Sequence, residues 1–220
     1  MAADGKRVVV LGAGGHGHVV VDVLRAGAQA GAALEVVAVL DDAPALHGAV
    51  VGGLAVAGGQ ALLTSIPHDS VIVAIGDNRT RRRLQEALAE SGEVFIEALH
   101  PAAVVSGDAV VERGAVVCAG AVVGPRARIA AGAIVNTGAV VDHHCEIGRF
   151  AHIAAGVTLA GSVSVGAESL IGIGAAVLPS VRIGARATIG AGAVILADVP
   201  DGVTMVGVPG RRVPGRPGHD

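Results

Sequence analysis

From Val105 to Ile195 an aliphatic residue stands at every sixth position, sixteen in succession, through Val117, Ile129, Val141, Ile153, Val165 and Val177. Four positions after each comes a small or β-branched residue, from Ala109 through Cys145 and Ser169 to Val199. Helices repeat at 3.6 residues and strands at 2, so a strict six fits neither. It fits a triangular coil in which six residues make one side and one corner, and three such units close a turn. The aliphatic residue then points inward, and the small one sits where the chain bends. Gly114, Gly120, Gly132, Gly138 and Gly156 share one slot of the repeat, as expected of corners that need a permissive backbone. Coils stacked at roughly 4.8 Å per turn give a prism on the order of 25 Å tall, with the nearest-neighbour stacking of a solenoid.

Ahead of the repeat the pattern changes to alternating strands and helices. Residues 7–12 read as a buried strand, followed by Gly12-Ala13-Gly14-Gly15-His16-Gly17 and a helical stretch to about Gly27. Residues 35–40 read as a second strand ending in Asp41 and Asp42, and 71–76 as a third. A helix over 80–92 and a strand over 94–99 complete the segment. Strand, glycine turn, helix, strand and acid is the order of a dinucleotide-binding unit. In such a unit glycines let the backbone approach a diphosphate at a helix N-terminus. With about 100 residues available, half of a full dinucleotide fold fits, which favours a single nucleotide or a nucleotide-linked sugar over NAD. The chain thus divides into a Rossmann-like α/β domain over 1–99 and a parallel β-helix over 100–220, the junction falling at Leu99-His100-Pro101.

Composition sharpens this reading. Hydrophobic residues make up 52%, yet there are two Phe and no Tyr or Trp, while Gly reaches 34. A core of Val, Ile and Ala suits a narrow repetitive interior. A net charge of −3 gives no basic surface for nucleic acid. Mean hydropathy is +0.65, but Gly and polar residues break the apolar runs before the ~20 residues needed to span a bilayer. The N-terminus lacks the pattern of a secretory leader. Two cysteines are too few for a disulfide framework. A soluble cytoplasmic protein, with neither nucleic-acid nor membrane partners, is expected.

A repeat alone establishes no chemistry, and a structural rod remains open at this point. One unit stands apart, Val141-Asp142-His143-His144-Cys145-Glu146, where titratable groups gather among neighbours filled with Ala, Gly and Val. A neutral histidine can remove a proton from an amine or hydroxyl. Gly161 lies 18 positions after His143 and should stack one coil above it, where its N–H could face a developing oxyanion. His152 follows half a coil later. Zinc is the rival reading, through His143, His144 and His152. Neighbouring histidines on a strand should point to opposite faces and so not share a metal within one subunit; no metal is expected. Cys145 occupies the small-residue slot and reads as a packed residue more than a nucleophile.

The stretch VVLGAGGHGH, with AIGDNR (74–79), HPAAV (100–104), NTGAVVDHHC (136–145) and VGVPGRR (206–212), resembles the sugar O/N-acetyltransferases of the sialic-acid and bacillosamine pathways, the perosamine N-acetyltransferases especially. The resemblance runs over nearly the whole chain in the same order. It implies a left-handed β-helix and a homotrimer with active sites at subunit interfaces. It also implies transfer of acetyl from acetyl-CoA to the amino group of a nucleotide-linked 4-amino-6-deoxy sugar. By the same resemblance His143 is the general base, and the amide of Gly161 faces the oxyanion. His152, Ile173, Gly190, Ala191 and Gly192 meet acetyl-CoA. Gly14, Gly15, His16, Asp41, Asp42 and Gly76 meet the nucleotide-linked sugar, with Asn78 and Arg79 as weaker candidates. The family usually places an acid directly after the catalytic histidine; here that position is His144, which leaves Asp142 as a carboxylate that could replace it. A sialic-acid-type O-acetyltransferase and a zinc-dependent or structural β-helix are the alternatives.

Overall fold

A computed structural model describes residues 5–213, and the chain divides into two compact units, Met1–Pro101 and Ala102–Asp220. The first is an α/β unit of β1 (Lys6–Leu11), α1 (Gly15–Gln29), β2 (Leu34–Leu40), β3 (Val50–Val51), β4 (Leu54–Gly58), β5 (Ser70–Val73) and α2 (Asn78–Glu90). Its sheet runs β3-β4-β2-β1-β5 and is parallel apart from the β3–β4 pair. Strand β1 is central, which is why Val8, Val9 and Val10 are fully buried and read as an unbroken apolar run. Helix α1 buries Gly17, Val20, Val21, Leu24 and Gly27, the three- and four-residue spacing of one helical face. Helix α2 starts two residues ahead of the expected position because Asp77 caps it, its side chain accepting from the Thr80 amide at 2.8 Å.

Two expected strands are shorter than the apolar runs suggested. Residues 71–76 hold strand pairing only to Val73, because Ile75 and Gly76 belong to the loop that enters α2. Of 94–99, Phe95 makes an isolated bridge to Val71 and only Ala98–Leu99 is regular strand.

The second unit is a left-handed parallel β-helix. Its two-residue strands fall on three faces, and each strand pairs with the one 18 residues on. The first face holds Val104–Val105, Val122–Val123, Val140–Val141, Thr158–Leu159, Ala176–Val177 and Val194–Ile195. The second runs from Val110–Val111 through Glu146–Ile147 to Arg182–Ile183. The third runs from Val116–Val117 through His152–Ile153 to Thr188–Ile189. The aliphatic series points inward as expected and is buried from Val117 to Ile195; Val105 and Val111, in the first coil, are only partly covered. Each fully buried Val, Ile or Leu contributes roughly 1.5–3 kcal/mol. Ser169, the polar member of the small-residue series, is satisfied: its hydroxyl donates to the Gly184 carbonyl at 2.6 Å and accepts from the Ala187 amide at 3.0 Å.

The corners carry positive φ, as the glycine spacing predicted: Gly114, Gly120, Gly132, Gly138 and Gly156 lie between +65° and +78°. The same slot also holds Arg126, His144, Phe150, Ser162, Glu168, Ser180 and Arg186 at +54° to +63°. An L-residue in this region costs roughly 1–2 kcal/mol. Coil-to-coil bonding offsets it, because the amide of each such residue donates to the coil below, His144 to Pro125 and Ser162 to His143, both at 2.9 Å. The third face ends in a hairpin, Thr204–Val206 pairing with Thr188–Ile189 on one side and Arg211–Val213 on the other. Among the described residues no helix is long and apolar enough to cross a membrane.

Candidate active site

His143 and His144 lie in the corner between the first and second faces, directly above Pro125 and below Gly161 and Ser162. The expectation that they point to opposite sides is corrected by the structure. They are in a turn and not on a strand, and the left-handed φ of +58° at His144 swings its ring toward its neighbour. The rings meet edge to face with centroids 5.2 Å apart, and their Nδ1 atoms are 3.0 Å apart. Asp142 points elsewhere: its Oδ1 accepts from the backbone N–H of His143 at 2.6 Å. The carboxylate therefore shapes the corner and does not touch the imidazole.

The stacking of Gly161 over His143 is close. A Cβ at residue 161 would collide with the His143 ring, coming within 3.0 Å of Nδ1 and nearer to Cε1 and Nε2. Glycine is thus required here by proximity, since no positive φ demands it. Gly161 is buried, its carbonyl accepts from Ser180, and its N–H has no acceptor among the described residues. Cys145, next in sequence, faces the core, and its thiol donates to the Ala160 carbonyl at 3.3 Å. Burial pushes that thiol up, and burial likewise raises Cys118 to about 11. Neither is a nucleophile at neutral pH.

The residues expected to hold acetyl-CoA occupy a different part of the prism. Ile173 lies in the corner between the third and first faces, and Ala191 and Gly192 stack one coil above it, the Gly192 amide donating to Ile173 at 2.8 Å. Ile173 is 64% exposed, an unusual position for a large aliphatic side chain. Gly190 enters the same corner; a Cβ there would come 2.9 Å from Val206 Cγ1. His152 is on the third face, half-buried, its Nε2 3.2 Å from Asn136 Nδ2. Within one chain a full prism face therefore separates His143 from the Ile173 corner, and His152 lies on the face opposite His143. Among the described residues no three metal-binding side chains converge.

In the N-terminal unit the sequence β2-β1-β5 makes a switch point where β1 and β5 end side by side, the place where such sheets bind ligands. Gly12 has φ +114°, and a Cβ on it would lie 2.7 Å from the Ala74 carbonyl; a Cβ on Gly17 would run into the Gly12 carbonyl. These two glycines let β1, α1 and β5 approach. Gly14 and Gly15 serve otherwise: nothing lies within 4 Å of a Cβ on either, so they leave the α1 N-terminus open to an anion. His16 begins α1 beside Gly76, whose added Cβ would be 3.9 Å from the His16 Cβ.

The two acids divide their work. Asp41 accepts from Ala13 N at 2.7 Å and from Ala43 N at 2.9 Å, so both oxygens are spent on fixing the glycine loop. Asp42 uses one oxygen on the Gln60 amide at 2.6 Å and faces a cleft of about 700 Å³. The cleft is lined by Gly12, Asp41, Asp42, Gln60, Thr80 and Arg83, with Leu84 and Ala87 as its apolar wall; Gly14, Gly15, His16 and Gly76 stand outside that lining. Arg81 is fully buried, donating to the Ile75 and Gly76 carbonyls and to Asn78 Oδ1. Burial lowers its pKa to about 10, which still leaves it charged. Asn78 is thereby a loop-holding residue.

Comparison with known proteins agrees with both halves. Residues 7–88 match the PglD N-terminal domain family, and residues 162–197 match the bacterial transferase hexapeptide repeat. The acetyltransferase domain of PglB from Neisseria gonorrhoeae FA1090, solved with acetyl coenzyme A, is 37% identical, with 95% of this chain and 100% of that one covered and a TM-score of 0.87. PerB from Caulobacter crescentus, solved with CoA and GDP-perosamine, is 40% identical over 96% of this chain and 99% of that one, with a TM-score of 0.86. The chain belongs to this family of hexapeptide-repeat sugar acetyltransferases. A curated relative, the UDP-N-acetylbacillosamine N-acetyltransferase of Bacillus subtilis (strain 168), is 37% identical over 119 residues, about half the length of either chain. In this family member, Gln60, Thr80 and Arg83 are cleft residues that the sequence reading missed. Thr80, Arg83, Leu84 and Ala87 share helical spacing on α2, a signal that was present but reads equally as one face of a solvated helix.

Proposed function

We propose that this protein moves an acetyl group from acetyl-CoA to the amino group of a nucleotide-linked 4-amino-6-deoxy sugar. The observation that supports the reading is the His143–Gly161 contact, a histidine ring packed against a buried glycine whose N–H has no acceptor among the described residues. His143 takes a proton from the sugar amine as the nitrogen attacks the thioester carbonyl. The Gly161 N–H steadies the oxyanion that develops there. As the C–S bond breaks, the proton held on His143 passes to the sulfur, CoA leaves as thiol, and the base is restored. Adding the base contributes about 10²–10⁴-fold.

The N-terminal unit binds the nucleotide. The open α1 N-terminus at Gly14, Gly15 and His16 takes the diphosphate, with Gly76 alongside, and Asp42 and Arg83 border the cleft for the nucleoside; Asp41 acts by holding the loop. The separation of His143 from the Ile173 corner supports a homotrimer; the two cysteines, too few for a disulfide framework, suit the cytoplasm. There the His143 corner of one copy would meet His152, Ile173 and Gly190–Gly192 of the next, and acetyl-CoA would lie at the subunit interface.

The test is a mass-spectrometric screen of the purified protein with acetyl-CoA and UDP- or GDP-linked 4-amino-6-deoxy sugars, with free sialic acid alongside. A nucleotide-linked product heavier by one acetyl is expected, and His143→Ala should lose about 10²–10⁴-fold in turnover while still binding acetyl-CoA. Acetylation of sialic acid alone, or undiminished turnover in the variant, would overturn the reading.

A further inference from the structure

The Nδ1 atoms of His143 and His144 are 3.0 Å apart, so one ring must donate a proton and the other accept it. Two arrangements satisfy the contact. If His144 donates, the His143 proton sits on Nε2, and that nitrogen cannot act as a base. If His143 donates from Nδ1, its Nε2 keeps a lone pair on the side of the ring that meets Gly161. The neighbouring carboxylate cannot decide between them, because Asp142 is bound to the His143 backbone amide.

Resting on the reading above, we propose that His144 is a positioning residue, its imidazole accepting the Nδ1–H of His143 so that Nε2 is the bare, basic nitrogen. An imidazole in this place accepts through one ring nitrogen, where a carboxylate would offer two oxygens.

The corner itself supplies suitable variants. Ser162 and Glu168 hold the same slot of the repeat with φ of +62° and +60°, so Ser and Glu both fit where His144 stands. His144→Ser removes the acceptor ring. It should lower kcat roughly tenfold to hundredfold, part of the about 10²–10⁴-fold the base supplies, with KM for acetyl-CoA unchanged. His144→Glu should restore most of kcat, since a carboxylate in the same place can also accept the Nδ1–H of His143.

The decisive readout needs no substrate. Nitrogen-15 imidazole spectra of the whole protein above neutral pH should show His143 protonated at Nδ1 and bare at Nε2, with that preference lost in His144→Ser. This result would stand even if no acetyl transfer were found, which separates it from the functional reading. A His143 protonated at Nε2 in the wild type would overturn the proposal, and so would a His144→Ser protein with the wild-type kcat.

Discussion

Gly12 in the N-terminal unit and Gly138 in the β-helix both have positive φ, +114° and +65°, but their surroundings differ. A Cβ on Gly12 would press on the Ala74 carbonyl, whereas one on Gly138 would meet nothing within 4 Å. In the helix the bend is imposed by the ladder of coils above and below, and the corner side chain is left open to choice. That is how one corner of an otherwise Ala-, Gly- and Val-rich solenoid can hold two adjacent histidines at no greater backbone cost than Ser162 or Arg186 bear. In the α/β unit the bend at Gly12 is fixed by contact, so that glycine cannot be spared. On the function proposed above, the helix would carry chemistry on side chains and the α/β unit recognition on backbone.

The sharpest way to break this comparison is at Gly161, a glycine in the helix that behaves like those in the loop. Gly161→Ala should push the His143 ring aside and lower kcat about 10²-fold, the scale of a misplacement of about 1 Å. The melting temperature should stay near wild type, and a kcat within twofold would show that the contact has no role. A smaller effect separates the two kinds of glycine directly. Gly17→Ala, whose Cβ meets the Gly12 carbonyl, should destabilise the N-terminal unit by about 2–3 kcal/mol. Gly138→Ala should cost the helix about 1 kcal/mol. Denaturant unfolding of both would contradict the account if the order were reversed.

The smallest effect concerns a pair inside the α/β unit, where His68 Nε2 lies 2.9 Å from Glu93 and Nδ1 lies 2.7 Å from the Ile66 carbonyl. Burial works against the charged ring but is outweighed by the Ile66 carbonyl and Glu93 together, so the pKa of His68 is raised above 6.5. A raised folded-state pKa means stability that is complete below 6.5 and lost as pH climbs through the higher value. The unit should thus unfold slightly more easily at pH 8 than at pH 6, and His68→Gln should shrink that difference. An unchanged pH dependence in the variant would remove the pair from the account.

The fold was legible where a single rule repeats. The period of six is visible because every aliphatic residue from Val117 to Ile195 answers to the same interior. Corners were legible only in part: glycine marked seven of them, Gly174 and Gly192 included, but Arg126 or Phe150 gives no sign in sequence of a left-handed backbone. The site was legible as residue types and less so as roles. Asp41 and Asp42 look alike in sequence and both line the cleft, yet Asp41 spends both oxygens on the loop and Asp42 one on the Gln60 amide. Asp142 and His144 flank His143 symmetrically in the chain, and only the turn geometry decides which of them reaches the ring. Arg81, Arg82 and Arg83 form a run in which burial of the first and the cleft position of the third depend on how α2 is rotated.

The central claim is that backbone recognition in one unit serves side-chain chemistry in the other, and one comparison of substrates tests it most directly. Acetyl transfer would be measured to a nucleotide-linked 4-amino-6-deoxy sugar and to the same amino sugar without its nucleotide. The account predicts a kcat/KM lower by several orders of magnitude for the free sugar, with His143→Ala lowering transfer to both by about 10²–10⁴-fold. Equal kcat/KM for the two acceptors would contradict it, because the α/β unit would then contribute nothing to the reaction.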